Sequence, residues 1–178
     1  MNLFITGFGP FLDHKDNPSA LLAVNSGFDH AVLAVSYRAV NDFFAGWAGT
    51  GYDGLLMIGL AAKRSRMSLE SKGWNRKGGT RDAAGAVAAG KIEEDGPECR
   101  LASLWSGIAL DDHRLEFSED AGDYLCNYVL YRALGFYPEL AVGFLHVPPV
   151  EIISLEEQGR MLSNLTLQLN RLHPPQPL

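Results

Sequence analysis

A thiol, an imidazole and a carboxylate are the groups of this 178-residue chain whose surroundings point to covalent chemistry. Cys126 stands in Ala121-Gly122-Asp123-Tyr124-Leu125-Cys126-Asn127, where apolar residues begin to recur at helical spacing. Cys126, Val129, Leu130, Ala133 and Leu134 form one helix face; Asp120 or Gly122 is placed to cap it and Gly135 to end it. The sulfur then falls in the first turn, where unpaired N–H groups and the positive end of the helix dipole favour a thiolate. His146 closes the apolar run Leu140–Val147, and sites in open α/β sheets form at the carboxyl ends of strands. Glu70 is the one acidic residue between Asp53 and Asp82, in a stretch that holds seven of the fifteen Lys and Arg residues. A carboxylate among cations stays ionised, which suits it to orient an imidazole. Nucleophile, base and orienter are the parts of a cysteine-peptidase triad. Each residue also has a plainer reading. A helical cysteine is more often a small core residue, His146 could be a structural histidine, and Glu70 an ordinary surface glutamate. His14, His30, His113 and His173 lie in polar surroundings and read as surface residues.

The elements that must position these groups follow from periodicity and punctuation. Asn2–Thr6 reads as a buried first strand, followed by the turn Gly7-Phe8-Gly9-Pro10-Phe11. Asn17-Pro18 marks a helix start, with Asn17 as cap and Pro18 at the first helical position, and that helix runs to about Gly27. Ala31–Tyr37 and Asp53–Gly59 read as strands, Asn41–Ala48 as a helix and Met67–Gly73 as a further strand. Lys77-Gly78-Gly79-Thr80 reads as a glycine-rich turn, and residues 83–120 have no clear period. The Cys126 helix, the Leu140–Val147 strand and a helix from about Ser154 to Leu172 complete the chain; the proline-rich tail from His173 cannot continue that helix. Alternating strands and helices predict a three-layer α/β/α sandwich around a twisted, largely parallel central sheet, with residues 1–178 as one domain.

Composition narrows the function classes. Hydrophobic residues make up 47% and charged residues 20%, ordinary for a globular domain with a core. A net charge of −6 argues against nucleic acid as a partner. Two cysteines, Cys99 and Cys126, do not make a disulfide framework. The N-terminal residues carry no signal pattern, and no apolar run is long enough for a bilayer, so a cytoplasmic protein without a membrane partner is expected.

Five segments, in order, resemble the pyroglutamyl peptidase type I (pyrrolidone-carboxylate peptidase) family. They are Thr6–Phe11 with Asn17-Pro18-Ser19; Gly59-Leu60-Ala61-Ala62-Lys63-Arg64 with Ser68-Leu69-Glu70 and Asn75; Asp95-Gly96-Pro97 with Ser103-Leu104; Ala121-Gly122-x-Tyr124-x-Cys126-Asn127-Tyr128; and Gly143–Pro148. The resemblance implies a cysteine exopeptidase acting on N-terminally pyroglutamyl peptides. In it Cys126 is the nucleophile, His146 the base and then acid, and Glu70 the orienter. It implies no metal and no organic cofactor, and is compatible with a homo-oligomer. Substrate contacts fall by carry-over to Phe8 and Phe11, which would enclose the lactam ring, and to Leu125 and Arg81. A flat, uncharged lactam suits an apolar slot. Family members place an arginine near the oxyanion site, for which Arg76 and Arg81 are both candidates here. The chain departs from the family in Ser71-Lys72-Gly73-Trp74-Asn75, where Arg-Val-Ala-x-Asn is usual, and in Asp120, where a small hydroxyl residue is usual. An alternative is a divergent, weakly active or inactive member that binds a different ligand, with the basic stretch Arg76–Arg81 meeting an anionic partner. The dinucleotide-loop reading of Gly7-x-Gly9 is weak, because Pro10 and Phe11 replace the rest of that fingerprint.

Overall fold

The computed structural model describes residues 1–11 and 17–172; His14 and the tail from His173 lie outside them. The strands are β1 (Leu3–Phe8), β2 (Asp29–Leu33), β3 (Gly54–Leu60), β4 (Met67–Glu70), β5 (Lys72–Trp74), β6 (Lys77–Arg81), β7 (Val87–Gly90), β8 (Cys99–Leu101), β9 (Leu115–Ser118) and β10 (Ala141–Val147). The helices are α1 (Pro18–Val24), α2 (Tyr37–Gly46), α3 (Leu125–Phe136) and α4 (Leu155–Leu172). Six strands form the central sheet in the order β2-β1-β3-β10-β4-β9. Neighbours run parallel except β10 and β4, which are antiparallel. The expected largely parallel α/β sandwich is the fold observed.

Strand alternation sends successive side chains to opposite layers. Leu3, Ile5, Leu56, Ile58, Leu145 and Val147 pack with Leu22, Met161, Leu162, Leu165 and Leu169, so α1 and α4 cover one face. Phe4, Phe8, Leu55, Met57, Val142 and Phe144 pack with Val40, Phe44, Leu125, Val129 and Ala133, so α2 and α3 cover the other. At the start of α1, the Asn17 side chain accepts from the Ser19 amide and Pro18 occupies the first turn, as its sequence predicts. Ser154 caps α4, its hydroxyl accepting from the Glu157 amide at 3.3 Å.

Several boundaries differ from the sequence reading. Tyr37 is not in a strand but opens α2, whose cap is Ser36, accepting from the Ala39 amide. The Met67–Gly73 stretch is two strands in different sheets, β4 and β5, broken at Ser71. Lys77–Thr80 is not a turn: it lies in β6, which pairs with β7 through an irregularity at Gly78 and Arg81. A Cβ at Gly78 would collide with the Asp123 carboxylate, so this glycine serves close packing. Helix α3 begins one residue before Cys126, with Tyr124 as its N-cap; neither Asp120 nor Gly122 caps it. It continues through Gly135 to Phe136.

Asn127, on the first turn of α3 and buried, fastens this helix to the end of β5 and to Arg76, which leads into β6. Its Oδ1 accepts from the Trp74 amide at 2.7 Å, and its Nδ2 donates to the carbonyls of Trp74 at 2.8 Å and Arg76 at 3.0 Å. Asn127→Ala leaves these main-chain groups unpaired in the interior. It should destabilise the fold by about 2–4 kcal/mol, measured as a lower urea midpoint; an unchanged midpoint would show that the contact is expendable.

Candidate active site

The sheet register brings the three candidate groups to one face. His146 sits opposite Gly59 of β3 on one side and Ser68 of β4 on the other. Glu70 sits opposite Phe144, two residues deeper along β10. Residues two apart on a strand share a face, so Phe144, His146, Ser68 and Glu70 all point toward the α3 layer. Only an antiparallel neighbour gives this arrangement. The carboxyl end of β4 runs down beside β10, which sinks Glu70 below the sheet edge where His146 ends its strand.

Glu70 is therefore no surface glutamate: its exposure is 0%. Its Oε1 lies 2.7 Å from His146 Nδ1 and 2.7 Å from Arg64 Nη1. The ring of His146 is buried and meets Phe144 edge-on, with centroids 4.8 Å apart. With Nδ1 engaged by the carboxylate, Nε2 is the nitrogen left without a hydrogen bond among the described residues. Trp105 Nε1 donates to the Glu70 carbonyl at 3.1 Å and fixes the end of β4 from the other layer.

Cys126 reaches the same spot from α3. A Cβ placed on Gly59 would lie 2.9 Å from Cys126 Sγ and 2.6 Å from Phe144 Cζ. The sulfur thus rests over a position that must be glycine, on the strand residue paired with His146. No hydrogen bond joins Sγ to the ring, and contacts of this kind commonly tighten only around substrate. The Cys126 thiol is pushed up to about 12, first by burial and then by the Glu70 charge, against the opposing pull of Arg64 and its own backbone amide. The helix terminus does not make a resting thiolate here, as its sequence position alone would suggest. Burial also lowers the His146 value, with Arg64 acting the same way and Glu70 and Asp120 opposing. The resting pair is a neutral thiol and a neutral imidazole, beside a carboxylate matched by a guanidinium.

Beside Cys126 lies a cavity of about 270 Å³ lined by Phe8, Phe11, Asn17, Val35, Leu60, Ala62, Tyr124, Leu125 and Cys126. Among the described residues its lining carries no charged side chain. Phe11 and Tyr124, both in its lining, have ring centroids 6.1 Å apart. Asn17 is its one amide, and both ends of that amide are committed: Nδ2 to the Gly9 carbonyl, Oδ1 to Ser19. Phe8, Phe11 and Leu125, expected to contact substrate, all line this cavity. Arg81 does not: its guanidinium donates to the Gly85 carbonyl, and only its carbonyl meets Tyr124. Arg76 pairs with Asp120 at 2.7 Å and lies over the Trp74 ring. The arginine at the site is Arg64. Sequence reading placed it in a motif but gave it no role, because its partner Glu70 is brought back to it only by the chain reversal between β3 and β4. Cys99 lies elsewhere, on β8. Among the described residues no cluster of His, Cys, Asp and Glu is arranged to hold a metal ion, and no helix is long and apolar enough to cross a membrane.

A histidine buried neutral makes stability depend on pH. Its folded value lies below its unfolded one, so the unfolded chain takes up the proton first as pH falls. The stability tied to His146 is intact above about pH 6.5 and drains away as pH falls toward the lowered folded value. Asp112, Glu93 and Glu157, whose values are also lowered, act only in the acid range below about pH 4.5. The urea midpoint should drop between about pH 7 and pH 5 in the native protein and drop less in His146→Gln. Equal drops in both would contradict a buried neutral ring.

Comparison with known proteins is consistent along most of the chain. The family model described as pyroglutamyl peptidase matches residues 1–170. The pyrrolidone-carboxylate peptidase of Deinococcus radiodurans is 34% identical over 179 residues, covering 86% of this chain and 80% of that one. That of Halalkalibacterium halodurans is 30% identical over 166 residues, covering 82% and 83%. The crystal structure of pyrrolidone carboxyl peptidase from Thermus thermophilus superposes with a TM-score of 0.77 at 29% identity, covering 93% of this chain and 98% of that one. Fold and sequence agree: the chain belongs to the pyroglutamyl peptidase family.

Proposed function

We propose that this member of the family hydrolyses the bond after an N-terminal pyroglutamate, with Cys126 as nucleophile, His146 as proton carrier and Glu70 as orienter. The observation that carries the proposal is the buried His146–Glu70 contact of 2.7 Å beside a cysteine that opens into an uncharged aromatic slot. The lactam ring enters between Phe8 and Phe11, which leaves the scissile carbonyl at the mouth over Cys126. Because the resting thiol is protonated, attack needs a base. His146 Nε2 takes the S–H proton as the S–C bond forms, and the imidazolium is matched by the Glu70 carboxylate. The oxyanion is held by main-chain N–H groups of the first turn of α3, Cys126 among them, which have no intrahelical acceptor. Tyr124 makes no side-chain cap there that would compete for them. His146 then gives its proton to the leaving amine as the C–N bond breaks. A water, losing its proton to His146, adds to the thioester carbonyl; the C–S bond then breaks, the sulfur takes the proton back from His146, and pyroglutamate is freed. The reading extends to pyroglutamyl peptides as partners and a cytoplasmic location; nucleic acid has no place in it. The rival reading of a basic loop for an anionic ligand is less favoured, since Arg76 is paired with Asp120 and Arg81 donates to the Gly85 carbonyl.

Release of a fluorophore from a pyroglutamyl amide tests the activity, and Cys126→Ala should abolish it. Phe11→Ala should lower turnover while leaving the protein folded, since it removes one wall of the slot and about 1–3 kcal/mol of contact. Glutamyl and prolyl amides should be poor substrates. One carries charge into an apolar slot and the other lacks the lactam carbonyl. Equal cleavage of glutamyl and pyroglutamyl amides would refute the specificity.

A further inference from the structure

We infer that Arg64 is a positioning residue for the Glu70–His146 pair and ties that pair to the loop leading into the nucleophile helix. The inference rests on the roles proposed above for Cys126, His146 and Glu70. The first observation is the state of Glu70. Its side chain is fully buried, both of its side-chain partners among the described residues bind Oε1, and Oε2 has none. A carboxylate withdrawn from water needs a counter-charge. The imidazole cannot supply it, because it must stay neutral until it receives the proton of the thiol. Arg64, 2.7 Å away on the same oxygen, can.

The second observation is the other arm of the fork. Arg64 Nη2 donates to the main-chain carbonyl of Asp120 at 2.7 Å, six residues before Cys126. A guanidinium is planar and rigid, so the two bonds fix the spacing between Glu70 and the approach to α3. An ammonium would match the charge without spanning both partners. The third observation is where Arg64 comes from. It sits in the tight turn after β3, its amide bonded to the Ala61 carbonyl at 3.0 Å, and Ala62 of this turn lines the substrate cavity. One short turn thus carries a wall of the slot and the clamp on the carboxylate. The groups facing His146 are Glu70 from β4, Arg64 from this turn, Asp120 from the loop before α3, and Cys126 from α3. Of these, Arg64 works against protonation of the ring and for ionisation of the sulfur. It therefore opposes a standing imidazolium and favours passage of the ring proton to the leaving amine.

Arg64→Gln and Arg64→Lys, compared with the native enzyme, test the inference by two measurements. One is kcat and KM for a pyroglutamyl amide across pH; the other is the NMR titration of the isotope-labelled His146 ring, which does not depend on activity. In Arg64→Gln kcat should fall about 10- to 100-fold with KM within about twofold, and the ring should titrate at higher pH than in the native protein. In Arg64→Lys the ring should titrate near the native value, because the charge is kept. Its kcat should still be reduced, because the bridge to Asp120 is lost. Native kcat and native ring titration in Arg64→Gln would overturn the inference. If that variant does not fold, native kcat in Arg64→Lys overturns it instead. A native protein that folds but does not cleave the amide would refute the catalytic reading, and the ring titration would then decide the role of Arg64 alone.

Discussion

A carboxylate with no access to water, held between an imidazole and a guanidinium, is the constraint on which this molecule is organised. Burying Glu70 is unfavourable unless its charge is matched. The arrangement that satisfies it needs an antiparallel β4 beside β10, a turn after β3 that returns Arg64 to the same point, and a loop at Asp120 that accepts the second arm of the guanidinium. The register of the sheet, the path into α3 and the orientation of His146 all converge on this one satisfied charge.

The electrostatic consequence is a site that rests uncharged where the chemistry starts. Burial holds the imidazole neutral and the thiol protonated, and the adjoining Glu70–Arg64 pair sums to zero. Charge appears only when a proton moves from sulfur to ring, next to a carboxylate already fixed in place. Such a site spares the free enzyme a standing thiolate, which is the form most readily oxidised or alkylated. Specificity is separated from this machinery: the aromatic slot meets it only at Leu125 and Cys126, on the first turn of α3, and at the turn after β3.

Much of this was legible in the sequence, and the parts that were not share a physical reason. The Asn17-Pro18 cap, the helical stripe from Cys126 and the apolar run into His146 are local patterns, and each forms the element it predicts. Phe8, which the structure places at the end of β1 rather than in the turn, and Phe11, just beyond it, line the cavity because that end of β1 faces the same sheet edge as His146. Strands β7, β8 and β9 have three or four residues each, too few to establish a period. Gly78 reads as a turn residue, yet it is a strand residue whose missing side chain admits Asp123. The burial of Glu70 was hidden because the cations around it in sequence suggested solvent, whereas one of them, Arg64, is what allows it to be buried. The protonated thiol was hidden for a related reason. The helix terminus is visible in sequence, but the sheet that desolvates the sulfur is not.

The central claim is that Cys126 carries the pyroglutamyl group through a thioester. The direct measurement is acid quenching of the native enzyme during turnover of an activated pyroglutamyl ester, followed by mass analysis of its peptides. The account predicts one added pyroglutamyl acyl group on the peptide that contains Cys126 and none on the peptide that contains Cys99. An acyl group on Cys99 or on a hydroxyl side chain, or turnover of the ester by a Cys126→Ala protein at the native rate, would contradict it.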